Sequence, residues 1–441
     1  MEVFDLSLEI LLEVIEQKKP FSDALKDKFV SDIKLRPLRS QVAGLVGCEL
    51  RHHILFEYLL KDIELEVAER SAVELVLAND YFYHRFDKAE LDGVLKEKIG
   101  EEKFQLVSPV IENYTKPEEY VPLSVKRNSQ PYLSLRYNVP AWILKVFAHF
   151  PYFQVYRTIK KYSRPVTTTL RAREGVDVNA LVASNNFAAT KTEGILSYVG
   201  KESLRRNEVY RSGKLFAEKE LTKIIFDEHR VSEPSEVLLY NGNADTSLEK
   251  ELIESYGSSL GMNIAVPEVD ARPDVTSLIK EKGLRNVNFF SAPDPQSMQA
   301  AISSQQDLVI VAPNSSNFDL APTSPDYLLN FSRDTLTGLI ENQKKVLEGC
   351  SKYVEVGGKL LYLVYTLNMK EGPEIIANFI KQHEDFTIIS EHQYLPYESH
   401  QTTAYLAVLE KKEKELSIAP ALNEIASTQA QSQNVASASS K

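Results

Sequence analysis

The stretch EVLLYNGNADTS (Glu236–Ser247) decides the fold: a short β-rich apolar run, a polar turn carrying Gly242, then a helical pattern. It is the first of seven such runs. The others are NIAVP (Asn263–Pro267), NVNFF (Asn286–Phe290), DLVIVA (Asp307–Ala312), GKLLYLV (Gly358–Val364), DFTIIS (Asp385–Ser390) and TAYLAVL (Thr403–Leu409). Helical candidates lie between the first six. Parallel neighbours need crossover connections, so this alternation predicts a doubly wound, mostly parallel sheet of the α/β class. A Pro- and polar-rich segment without a helix joins the last two runs, which predicts an antiparallel hairpin at one sheet edge.

Upstream, to about residue 115, apolar residues recur at helical spacing, as in Leu6, Ile10, Leu11, Val14 and again in Val42, Leu45, Val46, Leu50. This predicts an all-α domain over 1–115. The segment KPEEYVP (Lys116–Pro122) marks its end. Residues 116–222 read as a basic, aromatic connector with a small α/β RNA-binding subdomain, 223–411 as the sheet domain, and 412–441, rich in Ser, Ala, Gln and Asn, as a disordered tail. A length of 441 residues fits several domains at roughly 100–200 residues each. Collagen-like, wholly disordered and disulfide-scaffold classes are excluded by 43% hydrophobic residues, 17 Gly, 20 Pro and 2 Cys. Cys48 and Cys350 are too few for a structural zinc site and fit a reducing cytoplasm. No apolar run reaches the roughly 18 residues of a membrane span, and the first residues carry acids rather than a basic leader. A cytoplasmic protein without membrane contact is expected.

The formal charge of −11 argues, as an average, against nucleic acid. The average conceals a 54-residue stretch, Tyr120 to Arg173, with no Asp or Glu and ten basic residues: Lys126, Arg127, Arg136, Lys145, Arg157, Lys160, Lys161, Arg164, Arg171 and Arg173. The rest of the chain therefore carries −21. Interleaved aromatics, among them Trp142, Phe147, Phe150, Phe153, Tyr156 and Tyr162, supply what base stacking requires where the basic groups supply phosphate contact. The competing reading is that Trp142, Phe147 and Phe150 only fill a helix face. RNA is the expected partner; DNA is not, and a monomer is expected.

The order of several short elements resembles the bacterial cytosine-C5 ribosomal RNA methyltransferases of the RsmB type, which carry a NusB-like helical domain. These elements are LVGCELRHHILFEYLL (Leu45–Leu60), NVPAWIL (Asn138–Leu144), RPVTTTLRAR (Arg164–Arg173), VGGKLLY (Val356–Tyr362) and HEDFTII (His383–Ile389). The resemblance implies a seven-stranded Rossmann-like methyltransferase domain, small-subunit ribosomal RNA as partner and S-adenosylmethionine as donor. Addition to cytosine C6 needs a thiolate. In the family a Thr-Cys-Ser element supplies it, and the Cys of Asp-Ala-Pro-Cys-Ser-Gly releases the product. Here Tyr365 stands at the first position and Asn314 at the second, with Val311 at the Asp of that element. A phenol near pKa 10 and an amide cannot perform thiolate addition.

The donor-binding positions have changed as well. The family's glycine-rich first turn matches Leu239–Ser247, which keeps only Gly242 and places Asp245 where a carboxylate of the donor would lie. The acid for the ribose hydroxyls would be Glu268, two residues from the ungapped match Val266, and the third-strand acid would be Asp294. An amino-methyltransferase needs an Asn/Asp-Pro-Pro-aromatic element, which APNSSNF (Ala312–Phe318) does not supply. His52 and His53 diverge on a helix and are read without a carboxylate partner, so no metal site is expected. The reading is an RNA-binding protein of this lineage without catalysis and with no cofactor expected. The alternatives are an active S-adenosylmethionine-dependent methyltransferase and a protein-interaction scaffold.

Overall fold

The computed structural model describes residues 2–113, 121–164, 166–230, 236–257, 259–400 and 402–413. Most of KPEEYVP and the tail from residue 414 lie outside the described residues. Six α-helices between Glu2–Ile15 and Lys88–Glu112 form the N-terminal helical domain. They bury one continuous core that includes Ile10, Leu11, Val14, Leu45, Val46 and Leu50, the residues whose spacing predicted it. Glu66 and Glu69 close a capping box on the helix Val67–Ala78, so its first N–H groups find partners before packing begins.

The strands, in chain order, are β1 Thr169–Ala172, β2 Phe187–Ala189, β3 Ile195–Tyr198, β4 Leu215–Ala217, β5 Glu236–Asn241, β6 Gly261–Val266, β7 Val287–Ser291, β8 Gln306–Ala312, β9 Val354–Val364, β10 Phe386–Tyr394 and β11 Ala404–Lys411. The first four make a small antiparallel sheet ordered β2-β3-β1-β4. The other seven make one sheet ordered β10-β11-β9-β8-β5-β6-β7. All pairs from β9 to β7 are parallel, and β11 runs antiparallel to both β9 and β10. The doubly wound sheet with an antiparallel edge hairpin is thus as expected. A single π-turn, Pro396–His400, interrupts the link expected to lack helix. β9 begins four residues earlier than expected because Gly357, at φ +83°, lets the strand bulge between its pairings with Gln306 and Leu308.

The central strands are apolar on both faces, and two cores result. One packs the helices Glu220–Glu228, Ser247–Tyr256 and Pro273–Glu281 against Leu239, Ile264, Ile310 and Leu363; the other packs Arg333–Ser351 and Pro373–Gln382 against Leu238, Val309, Leu360 and Val364. The connector is not a loose tether. Its helices Gln130–Tyr137, Ala141–Val146 and Tyr152–Tyr162 bury Leu133, Ile143, Phe147 and Ile159 with Phe318, Phe331 and Leu367 of the sheet domain. Trp142 stacks on Phe331 at 6.1 Å, and Phe147 meets Phe318 edge-on at 5.4 Å. The packing reading of those aromatics is therefore the correct one for Trp142 and Phe147. Asn138 fixes the connector to the helical domain: its amide donates to Leu50 O at 2.7 Å and accepts from Ile54 N–H at 2.9 Å.

Candidate functional site

In an open α/β sheet a ligand site forms beyond the carboxyl ends of the strands, where the strand order reverses. That point lies between β5 and β8. The two strand-end loops there are in direct contact. Gly242 N–H donates to Ala312 O at 2.8 Å, and a Cβ at Gly242 would stand 2.8 Å from Asn314 N. Gly242 is thus required by the approach of a neighbouring loop, not by space for a ligand. Asn243 is buried in the seam, its amide donating to Ala312 O and Pro313 O at 3.1 Å each.

The interior of the β5 turn is filled by a side chain from the loop after β6. Arg272, 4% exposed, donates to the carbonyls of Asn241, Asn243 and Asp245 and pairs with the buried Glu249 carboxylate. Burial pushes Glu249 up to about 7, and the Arg272 guanidinium opposes that rise. Of the expected donor-binding residues, Asp245 accepts from Ser247 N–H at 3.0 Å within the turn that leads into the following helix. Glu268 is exposed. Asp294 caps the short helix Pro295–Ala300, accepting from Gln296 and Ser297 N–H. Gly242, Asp245 and Asp294 each have a local structural role, and Glu268 faces solvent. With Arg272 hydrogen-bonded to the carbonyls of the first turn, that turn as it stands does not fit an S-adenosylmethionine molecule.

Tyr365 follows β9 and is 1% exposed. Its ring lies under the Lys219 ammonium at 4.0 Å, and its N–H donates to Ser315 Oγ at 3.1 Å. Burial drives the phenol above its ordinary value, so no phenolate forms at neutral pH. Sequence reasoning did not find the group that holds this region together. Glu371 is fully buried and forms no ion pair among the described residues; Oε1 accepts from Ser316 N–H at 2.9 Å and Gln343 Nε2 at 3.0 Å. Its Oε2 accepts from Ser316 Oγ at 2.7 Å, Thr366 Oγ1 at 2.9 Å and Asn368 Nδ2 at 3.3 Å. One carboxylate therefore ties the loop after β8 to the loop after β9, the two places where the resemblance would put catalytic cysteines. Asn314 is exposed, and its carbonyl accepts from Gln343 Nε2. The cysteines present are elsewhere. Cys350 is buried in the helix Arg333–Ser351, and burial pushes the Cys48 thiol up to about 12.

No family model matches the chain. Over 140 residues it is 27% identical to the probable ribosomal RNA small subunit methyltransferase B of Bacillus subtilis (strain 168), a match covering 31% of this chain and 30% of that protein. Among solved structures, PH0851 superposes with a TM-score of 0.66 at 16% identity, covering 92% of this chain and 98% of that one. The chain shares its fold with that structure and, over 140 residues, resembles methyltransferase B in sequence. A methyltransferase homolog protein from Pyrococcus horikoshii reaches 0.53 at 12% identity, and NSun6 from Pyrococcus horikoshii with SFG reaches 0.50 at 10%. Each covers 66% of this chain, and 100% and 99% respectively of its own. At these identities the structural likeness is one of fold. The sequence match spans less than a third of the curated relative's length, so it does not carry that protein's activity across to this chain.

The basic residues fall into two groups. Arg171 pairs with the buried carboxylate of Glu251 and lies 3.9 Å from Glu218, while Arg173 pairs with Glu281. These two arginines dock the small sheet on the helices of the sheet domain. The others stay at the surface or line a cavity. Lys126, Arg127, Arg157 and Arg164 are exposed, and Lys160 and Lys161 are half-buried. On the helix Tyr152–Tyr162, Phe153 is 56% exposed and Arg157 lies one turn further on, its guanidinium 4.1 Å from the Tyr397 ring. Lys160 sits 5.5 Å over Tyr156.

A cavity of about 510 Å³ opens where the helical domain, connector and sheet domain meet, and Arg51, Arg136, Arg164, His52, Tyr137 and Tyr162 line it. Burial first, and the charges of Arg51 and Arg136 after it, push His52 down to about 4, against a raising hydrogen bond to Cys48 O at 2.9 Å. The neutral ring stacks on Phe82 at 3.7 Å. Because the folded-state value lies below the unfolded one, the unfolded chain binds more protons between about pH 6.5 and 4. His52 thus supports folding fully above pH 6.5, and that support is lost as pH falls towards 4. Replacing it by Phe, which keeps the stack, should remove about 1–3 kcal/mol of the acid-side loss in a pH series of urea unfolding. Parallel wild-type and His52→Phe curves below pH 6.5 would refute the assignment.

The expectation that no carboxylate partners the histidines is also corrected. His53 Nδ1 is 2.7 Å from Glu49 Oε1 and 3.4 Å from Glu74 Oε2. The Glu49–His53 spacing of four residues, a signal present in the sequence, places both on one side of the chain's helical path.

Proposed function

We propose that the chain is an RNA-binding protein on a ribosomal RNA methyltransferase scaffold, and that it neither binds the methyl donor nor performs cytosine addition. The observation that carries this reading is the strand-end region itself. Its two loops are locked on Glu371, its first turn is filled by Arg272, and Tyr365 occupies the nucleophile's place as a buried phenol. The chemistry has no thiolate, while the surface for a polyanion persists. Exposed Phe153, Arg157 and the lysines after it offer a ring for base stacking and charges for phosphates on one helix. The resemblance supports small-subunit ribosomal RNA as the partner.

The test is the charge reversal of Lys160, Lys161 and Arg164 to Glu in the full chain, with affinity for a structured small-subunit RNA fragment measured across a salt series. Three lost phosphate contacts should flatten the logarithmic salt slope by about 2–3 and weaken binding to all sequences alike. Charge reversal at Arg171 and Arg173 should instead loosen the small sheet. An unchanged slope and affinity in the triple variant would reject this face as the RNA site.

A further inference from the structure

The helical domain buries a cluster that the RNA reading does not use. Glu49 ends the helix Arg39–Leu50, His53 begins His53–Leu59, and Glu74 lies within Val67–Ala78. All three side chains face the core, at 0%, 7% and 1% exposure. One ligand atom from each lies within 4.8 Å of the others. Two oxygens of this cluster, Glu49 Oε2 and Glu74 Oε1, are buried without a hydrogen-bond partner among the described residues. A buried carboxylate oxygen in that condition is costly, and two beside one imidazole require an explanation.

We propose that Glu49, His53 and Glu74 bind one first-row divalent metal ion, with zinc as the best-suited occupant. Charge balance is the first argument: an imidazolium neutralises one of the two carboxylates, whereas a dication with a neutral imidazole neutralises both. Geometry is the second. Bonds of about 2.0–2.2 Å to nitrogen and oxygen place tetrahedral ligand atoms about 3.3 Å apart. His53 Nδ1 is 3.4 Å from Glu74 Oε2, and its 2.7 Å separation from Glu49 Oε1 widens with a small carboxylate rotation. The unpartnered oxygens then become further donors to the ion. The third argument is the outer partner. His53 Nε2 is 3.6 Å from Glu57 Oε1, so the far side of the ring faces a carboxylate, as it does in metal-bound histidines. An N/O/O set of this kind suits zinc and its neighbours better than a thiolate-seeking ion. Binding would join three helices of the domain, and the ion would stabilise it.

The experiment uses the untagged full chain, stripped with a chelator, reloaded with Zn²⁺ and desalted. One equivalent per chain is expected by elemental analysis, with a rise of at least about 4 °C in the unfolding midpoint of the helical domain. Glu49→Gln and Glu74→Gln should each weaken binding by at least about 100-fold, and Glu57→Gln, an outer partner, by about 10-fold. In the wild type, Co²⁺ should give the visible absorption of a low-coordinate N/O site and be displaced by Zn²⁺, a readout that survives if a variant does not fold. Less than a tenth of an equivalent retained by folded wild-type protein would overturn the proposal. So would an equivalent retained undiminished by both Glu49→Gln and Glu74→Gln, or Co²⁺ that stays spectrally like the free ion.

Discussion

Replacing Glu371 by leucine is expected to remove about 3–5 kcal/mol of stability from the sheet domain, measured by urea unfolding followed through its tyrosine signals. The argument is one of unsatisfied donors. Ser316 N–H, Ser316 Oγ, Gln343 Nε2, Thr366 Oγ1 and Asn368 Nδ2 all point at this carboxylate, and Ser316 and Thr366 are buried. Leucine is of similar size but accepts nothing, and each donor left dry costs about 1–3 kcal/mol before rearrangement recovers part of it. Glutamine keeps one accepting oxygen and should cost less, about 1–2 kcal/mol. The order leucine worse than glutamine worse than wild type separates the hydrogen-bond account from a simple volume effect. A leucine variant within about 0.5 kcal/mol of wild type would show that the loops are held by something else.

The same network explains which parts of the molecule the sequence displayed. The strands were legible because β5, β8 and β9 are buried on both faces and therefore read as unbroken apolar runs, as in LVIVA and LLYLV. The edge hairpin was legible because the segment between Asp385–Ser390 and Thr403–Leu409 is Pro- and polar-rich and shows no helical periodicity. The side chains that shape the site were not. Glu371 meets Ser316 across 55 positions and Arg272 meets Asn241 across 31, and no local pattern announces such pairs. Distance in sequence likewise hid the partners of Arg171 and Arg173, whose acids lie 80 and 108 residues away. A stretch without acids looked uniformly available for phosphate, yet the acids of another segment had already claimed part of it. Glu49 and His53, four residues apart, could have been paired by inspection.

The last expected result concerns chemistry: no 5-methylcytosine should form on small-subunit ribosomal RNA incubated with this protein and labelled donor, and no covalent adduct should form with 5-azacytosine RNA. Addition at C6 requires a thiolate within reach of the base. Tyr365 is a buried phenol whose ionisation burial opposes, and its ring is covered by the Lys219 ammonium. Cys48 lies in the helical domain with its thiol held at about 12, and Cys350 is buried in a helix behind the sheet, so neither supplies the nucleophile. The substitution Tyr365→Cys should also fail, and the reason is distinct from the missing sulfur. A cysteine there would sit between loops still fastened by Glu371, opposite a first turn still filled by Arg272 and Asn243, with no room made for a donor. Nucleoside analysis after the reaction decides the matter. Methylcytosine that depends on the protein, and vanishes on substitution of Tyr365, Thr366 or Asn314, would mean that these loops open on RNA and act by a chemistry other than thiolate addition.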